Sequence, residues 1–161
     1  MNSSPKKATE TNGRPAKAPA TLDLRMARQM LPLIRSIVSD IVGTKQHLGV
    51  LSQEQERLDK QRRQLEWKDR NRRYSIGDEV VQVEQNYSSA IKELENLGLK
   101  LVDPDAGEVE IPTRINGRQA AFSWKLGEDG VAFWHYDEEE ARRPIPNDWQ
   151  SGSPLRLRGN P

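Results

Sequence analysis

The 161-residue sequence contains no cysteine and no apolar run of the length that a membrane-spanning helix needs. The lack of cysteine excludes disulfides, thiolate catalysis and every zinc site that requires sulfur ligands. Only 34% of the residues are hydrophobic while 30% are charged, which predicts a small core with solvated ends. The net charge of +1 indicates no particular class of partner. We expect one modest domain in the cytoplasm, with no membrane segment.

Both ends of the chain contain little that a core could bury. Residues 1–20 are rich in Pro, Ala, Lys, Ser and Thr and lack the apolar stretch of a secretory signal. Residues 147–161 are similarly polar, and Trp149 is their one candidate anchor. We therefore predict two disordered tails on either side of a single α+β domain that spans residues 21–146.

The first part of this domain has the apolar periodicity of two long helices, predicted over about residues 22–68 and 76–97. Thr21 is a suitable N-cap for the first helix. Pro32 lies inside that helix and predicts a kink or a break just before it, and two glycines weaken the middle. The prediction is a long, kinked helical hairpin at the N-terminal side of the domain.

Each predicted helix carries a heptad-like apolar stripe, so each needs a partner to cover it. A short link near residues 71–75 favours an antiparallel hairpin within one chain. The alternative is one long helix that pairs with a second copy. A hairpin much longer than the strands would also leave part of its stripes for a homodimer. Coiled-coil packing is expected in either arrangement.

Beyond the second helix the apolar period changes to the alternation of strands, and four short strands are predicted within residues 99–136. The dipeptide Asn116-Gly117 is a strong signal for a two-residue hairpin loop, because both residues accept positive φ. That loop would place Ile111 opposite Phe122. We expect a four-stranded antiparallel meander beneath the helical hairpin.

The register of the last strand decides the surroundings of His135. If residues 127–130 form a four-residue loop, Trp124 faces Phe133 and Phe122 faces His135. The rings of Phe122, Trp124 and Phe133 would then lie under the helices, with His135 at the rim of the same face. The opposite face would carry Trp134 and Tyr136.

This strand offers a candidate binding surface. Aromatic side chains on a nominally solvated face are covered by a tail, or mark a contact with a protein partner or small ligand. A lone histidine without a second His or Cys rarely holds a metal, so neither a metal nor a cofactor is predicted. The candidate residues are Glu110, Lys125, Glu128, Trp134, His135, Tyr136 and Arg143.

A basic stretch at residues 57–73 holds eight basic and three acidic residues. With Trp67 and Tyr74 available for base stacking, the stretch suggests nucleic-acid binding. The simpler interpretation is a solvated helix end with cations near its C-terminus, as the helix dipole prefers. The nucleic-acid candidates are Arg62, Arg63, Arg70, Arg72 and Arg73.

The last third of the domain also resembles a known family. The resemblance is carried by the helix start TLDLRMARQMLPLIR and by the later segments Gly117-Arg118, Trp124-Lys125-Leu126-Gly127-Glu128, Trp134-His135 and Arg143-Pro144. These segments are similar to those of the uncharacterised prokaryotic family called domain of unknown function 2203, over about residues 21–145. The family more often shows Asp-Phe-Pro where this chain has Glu110-Ile111-Pro112. The resemblance implies two helices followed by one shared surface, and it implies no activity. The residues that carry it are Gly107, Glu110, Pro112, Gly117, Arg118, Trp124, Lys125, Leu126, Gly127, Glu128, Trp134, His135, Arg143 and Pro144.

The sequence contains no P-loop, GxGxxG, HExxH, GxSxG or EF-hand pattern. We therefore expect a non-enzymatic cytoplasmic module for interaction or oligomerisation. One alternative is a small enzyme or a ligand- or metal-binding protein that uses the Trp-His and Trp-Lys-Leu-Gly-Glu segments. The other alternative is nucleic-acid binding through residues 57–73.

Overall fold

A computed structural model gives the structure of the chain and describes residues 22–150. The N-cap candidate Thr21, the predicted tail at residues 1–20 and most of the second tail lie outside these described residues. Two helices are followed by five strands and a short 3₁₀ helix. The elements are α1 (Leu24–Lys60), α2 (Trp67–Asn96), β1 (Lys100–Asp103), β2 (Glu108–Ile115), β3 (Arg118–Lys125), β4 (Phe133–Tyr136), β5 (Arg143–Pro144) and the 3₁₀ helix Asn147–Gln150.

The start of α1 is fixed both by a cap and by the sheet. Asp23 is the N-cap, and its side chain accepts a hydrogen bond of 2.7 Å from the backbone N–H of Met26. One residue earlier, the N–H of Leu22 donates to the carbonyl of Pro112 at 3.1 Å. From there α1 continues without interruption past Pro32 and both glycines to its end.

The link between the helices lies earlier in the chain than predicted. The first helix ends at Lys60 rather than near residue 68, and the second begins at Trp67 rather than near residue 76. Residues 61–66 form the link, so the expected link at 71–75 is wrong. Leu58 is the last fully buried side chain of α1, whereas Leu65, which continues the same apolar spacing, lies in the link.

The strands form one antiparallel sheet in the order β1-β2-β3-β4-β5. The predicted α+β class, helical hairpin and antiparallel meander are confirmed, and the short β5 adds a fifth strand. The β2–β3 register is also as predicted, with Ile111 opposite Phe122. Its loop has φ 53° at Asn116 and 76° at Gly117, the backbone that a two-residue turn requires. The tail expected from Asn147 begins instead with the 3₁₀ helix.

The β3–β4 register differs from the prediction by one residue. Phe122 faces Trp134 and Ala121 faces His135, so the predicted pairing of Phe122 with His135 is wrong. Trp134 and Tyr136 therefore lie on the helix-covered face. Phe133 and His135 lie on the opposite face, which reverses the expected arrangement, because a one-residue shift turns every side chain over.

The turn before β4 explains this shift. Glu128 donates its N–H to the carbonyl of Lys125 at 3.0 Å, and Gly127 adopts φ 101°, so a tight turn closes directly after β3. The chain then needs further residues before β4 pairs at Phe133. The sequence of β4 does not favour one register over the other, because aromatic side chains occupy both faces of this strand.

Two separate apolar clusters divide the molecule into a body and an arm. The main cluster joins the sheet to residues up to Val42 of α1 and from Tyr87 of α2, and the ion pair of Lys45 with Asp105 (2.7 Å) lies just beyond it. The second cluster contains helix residues alone, with Leu51 at its centre. We call residues 22–45 and 84–150 the body, and residues 46–83 the arm. At 1.5 Å per residue, the arm extends about 20 Å beyond the sheet.

At Gly107, in the turn before β2, α1 packs closely against the backbone. Gly107 has φ 67°, and a Cβ there would lie 2.8 Å from Cγ1 of Val38 and 2.9 Å from Cβ of Leu126. Only glycine fits both the backbone conformation and the space. This glycine is one of the residues that carry the family resemblance, and its role is packing.

Candidate functional site

The face of the sheet turned away from the helices, which we call the outer face, brings several candidate residues together. Strand alternation places these side chains on one side of β2, β3 and β4, where Ala121 and Ser123 are also buried. Charged and histidine residues of the outer face include Glu108, Glu110, Lys125 and His135.

His135 is held between a carbonyl and a carboxylate. Its Nδ1 lies 2.8 Å from the backbone oxygen of Tyr136, and because a carbonyl only accepts, Nδ1 carries a proton. Its Nε2 lies 3.3 Å from Oε1 of Glu110. The other carboxylate oxygen of Glu110, Oε2, pairs with Nζ of Lys100 at 3.1 Å. The His135 ring therefore bridges a backbone carbonyl and a carboxylate on the outer face.

Glu128 and Arg142 close the outer face at the end of β3. Both carboxylate oxygens of Glu128 accept from Nη2 of Arg142 at 2.9 Å, and Oε2 also accepts from the N–H of Lys125 at 2.9 Å. The Arg142 guanidinium lies 4.3 Å from the ring centre of Phe133. Burial by itself would raise the pKa of Glu128, but Arg142 and the Lys125 N–H outweigh it and lower the pKa below its ordinary value.

Trp134, Tyr136 and Arg143 lie on the helix-covered side, apart from the other candidates. Trp134 contacts Tyr136 edge-on and Trp149 at a tilt, with ring centres 5.1 Å apart in each pair. The guanidinium of Arg143 lies 5.3 Å from the ring centre of Trp134. The 3₁₀ helix thus covers this aromatic group through Trp149, and the group forms an edge of the core. The structure therefore separates the predicted binding surface into two groups.

The chemistry available at the outer face is limited by its own contacts. Glu108 pairs with Lys125 at 3.3 Å, Glu110 pairs with Lys100 at 3.1 Å, and Glu128 pairs with Arg142 at 2.9 Å. Within residues 22–150, no group of three or more His, Asp or Glu side chains is arranged to hold a metal ion. The carboxylates of this face are therefore engaged by cations of the same chain.

The basic candidates lie at the tip of the arm, where α1 ends and α2 begins. Arg72 is bound on both sides, to Glu54 at 2.8 Å and to Glu79 at 2.6 Å. Arg73 pairs with Asp59 at 2.7 Å. These two arginines therefore hold the two helices of the arm together, and their guanidinium groups are occupied by carboxylates.

The remaining candidates are exposed at the tip. Arg62 and Arg63 lie in the link and Arg70 in the first turn of α2, and none of the three has a carboxylate within ion-pair distance in the described part of the chain. Trp67 and Tyr74 beside them are 72% and 77% exposed. The tip therefore combines free cations with two large solvent-exposed rings.

Sequence reasoning missed the role of Arg142, which reaches across the outer face to Glu128. The available signal was the pair Arg142-Arg143, because adjacent residues of an extended backbone point to opposite sides. Arg142 accordingly reaches the outer face, whereas Arg143 lies over Trp134. The partner of each arginine depended on the β4 register, which the sequence pattern left ambiguous.

Several residues that carry the family resemblance have structural roles here. The indole N–H of Trp124 donates to the carbonyl of Glu128 at 3.2 Å, and Gly117 closes the β2–β3 turn. In the part of the chain that the structure describes, neither helix is both long enough and apolar enough to cross a bilayer. No curated protein and no solved structure matches the chain. The family model described as an uncharacterized conserved protein (DUF2203) matches residues 21–145, and the chain belongs to that family.

Proposed function

We propose that this chain is a non-enzymatic interaction module and that its arm is the contact surface. The observation that carries the proposal is the outward side of the arm, where Trp67 and Tyr74 are 72% and 77% exposed. Trp and Tyr are enriched at interfaces and at binding hot spots, because they bury a large area at a small cost in side-chain entropy. An arm that extends beyond the sheet presents these rings clear of the body.

The inner side of the arm supports the same proposal. The apolar stripes expected to meet a second copy face each other inside the hairpin, where Leu51, Leu58 and Ile76 are at most 2% exposed. A homodimer, which stays part of the proposal, would therefore use the outward side. We further propose that the two helices pack as a coiled coil and that the protein is cytoplasmic, as the sequence predicts. Cell fractionation tests the location.

The outer face of the sheet favours this function over a small enzyme or a ligand-binding protein. Its charged side chains pair with one another, so a ligand would have to break the contacts of Glu110 or Glu128 before it could bind. The alternative function, ligand binding at the outer face, has a direct test. A metal or metabolite that raises the melting temperature of the protein, but not that of His135→Ala, would favour ligand binding.

Site-specific photo-crosslinking tests the proposal. A photoreactive phenylalanine analogue is placed at Tyr74 in the arm or, as a control, at Val102 in the body, which is also exposed, at 45%. After irradiation in the native cells, we expect discrete adducts from position 74 and none from position 102. Adducts from position 102 alone, or none from either position, would contradict an arm that acts as the contact surface.

A further inference from the structure

Building on the proposed function, we infer that the partner of the arm is a single-stranded nucleic acid. It binds a surface that we call the tip patch. The patch combines three cations that lack carboxylate partners among the described residues with two exposed rings. Its members are Arg62, Arg63, Trp67, Arg70 and Tyr74.

The charge at the tip favours a polyanion. Residues 57–73 hold eight basic against three acidic side chains, whereas the whole chain is nearly neutral. Among the basic side chains of residues 57–73, those with an ion pair to a described residue are Lys60, Arg72 and Arg73, so most of the positive charge of this stretch is uncompensated. Lysine and arginine clusters of this kind bind phosphate backbones by releasing condensed counterions.

The rings and one cation are aligned along α2. Trp67 and Tyr74 are seven residues apart, so they lie within about 20° of each other around the helix and about 10 Å apart along it. Arg70 lies one turn from each ring on the same side. A strand that follows this line would stack one base on each ring and place an intervening phosphate at Arg70.

Two acidic residues next to the tip patch in sequence leave the line between the rings open. Asp69 points about 140° away from Tyr74 around the helix. Glu66 is the N-cap residue of α2, and its side chain makes no capping hydrogen bond. Asp59, the third acidic side chain of the stretch, is held by Arg73.

The rings specify which polyanion fits. Bases of a single strand expose the flat faces that stack on Trp and Tyr, whereas a duplex hides those faces between its base pairs. The carboxylates of an acidic protein segment could neutralise the arginines, but they offer no flat ring to stack on Trp67 and Tyr74. Since stacking is tolerant of base identity, we expect weak sequence preference.

Fluorescence anisotropy with the full chain tests this inference. The probes are labelled 15-nucleotide single-stranded DNA and RNA, the corresponding DNA duplex, and a polyglutamate peptide, each titrated at several salt concentrations. We expect both single strands to bind, with affinity that falls steeply with salt, and the duplex and peptide to bind more weakly. The Trp67→Ala variant should weaken single-strand binding by about tenfold, while Trp67→Phe should retain most of it.

A matched pair of charge variants distinguishes an effect of the tip patch from an effect of net charge. Arg62→Ala/Arg63→Ala should lower the slope of log K against log salt by about 1.4, which is the value for two lost phosphate contacts on a single strand. The control Arg25→Ala/Arg114→Ala removes the same charge from exposed residues of the body and should leave the slope unchanged.

The failures of the two proposals can be distinguished. Absence of single-strand binding at low salt, equal effects of both double variants, or equal binding of polyglutamate would overturn a nucleic-acid partner. In those cases, protein adducts from position 74 in the cross-linking experiment would still support the arm as a contact surface. Adducts that nuclease treatment removes would support both proposals.

Discussion

In the body, α1 and α2 lie against a sheet and enclose Trp124 and Phe122, whereas in the arm the same two helices have only each other. Glycine at position 107 brings α1 against the sheet, so the body core is packed on several sides. The arm has a thin seam around Leu51 and a set of ion pairs centred on Arg72. The body therefore supplies most of the stability, whereas the arm should open locally at a lower free energy and can adjust to a partner.

Substitutions that create a cavity should have the largest effects on stability. The region in which amide exchange speeds up should differ between a cavity in the body and one in the arm. Ile34 in the body and Leu51 in the arm are both fully or almost fully buried. Replacing Ile34 by Ala should lower the free energy of unfolding by about 4 kcal/mol and speed amide exchange throughout the body. Replacing Leu51 by Ala should speed exchange in the arm while body amides stay protected. Equal acceleration in both regions would show that the arm and body unfold together.

Replacing one glycine of the body and one of the arm by alanine tests how differently the two regions are packed. Gly107→Ala should destabilise the body by about 3 kcal/mol, since it adds a clash with Val38 and a strained positive φ. Gly49→Ala lies in the helical arm, where a Cβ meets nothing within 4 Å, and should stabilise the protein by about 0.8 kcal/mol. Urea denaturation measures both values. A stability loss at position 49 would place that glycine in a contact that the fold does not explain.

Glu128 is a carboxylate of the body that should contribute to the acid response. The lowered pKa of Glu128 means that its contribution is present above its ordinary value of 4.5 and is lost as pH falls through the folded value. Glu128→Gln should therefore cost about 2 kcal/mol at pH 7, and the difference from wild type should vanish at low pH. Glu56→Gln, which affects an exposed ion pair in the arm, should leave the unfolding free energy unchanged at both values of pH.

The sequence predicted those parts of the fold that local chemistry determines. Asn116-Gly117 dictated both the turn and the β2–β3 register, and the helical periodicity predicted a hairpin. The link between the helices was misplaced because no Gly or Pro interrupts residues 50–75, so propensity alone continues the helix. Only the buried position of Leu58 and the extended backbone at Glu66 reveal where the helices end.

The candidate site was harder to predict because it depends on long-range register. Aromatic side chains on both faces of β4 make its pattern compatible with either orientation, and the capped turn at Glu128 decides between them. The sequence therefore selected Glu110, Lys125 and His135 but could not show that they lie apart from Trp134. For the tip, by contrast, composition alone indicated the basic cluster, because no register is needed to place residues of one helix end.

The smallest expected effect on stability is the most informative about the arm. Trp67→Ala removes a side chain that is 72% exposed, so the free energy of unfolding should change by less than about 0.5 kcal/mol. Chemical denaturation monitored by far-ultraviolet circular dichroism measures this change without relying on the lost fluorophore. A ring that adds so little to folding, on a helix that extends into solvent, is best explained by an interaction outside the chain. A loss comparable to that of Leu51→Ala would instead make Trp67 part of the arm's own packing and remove the basis for the tip patch.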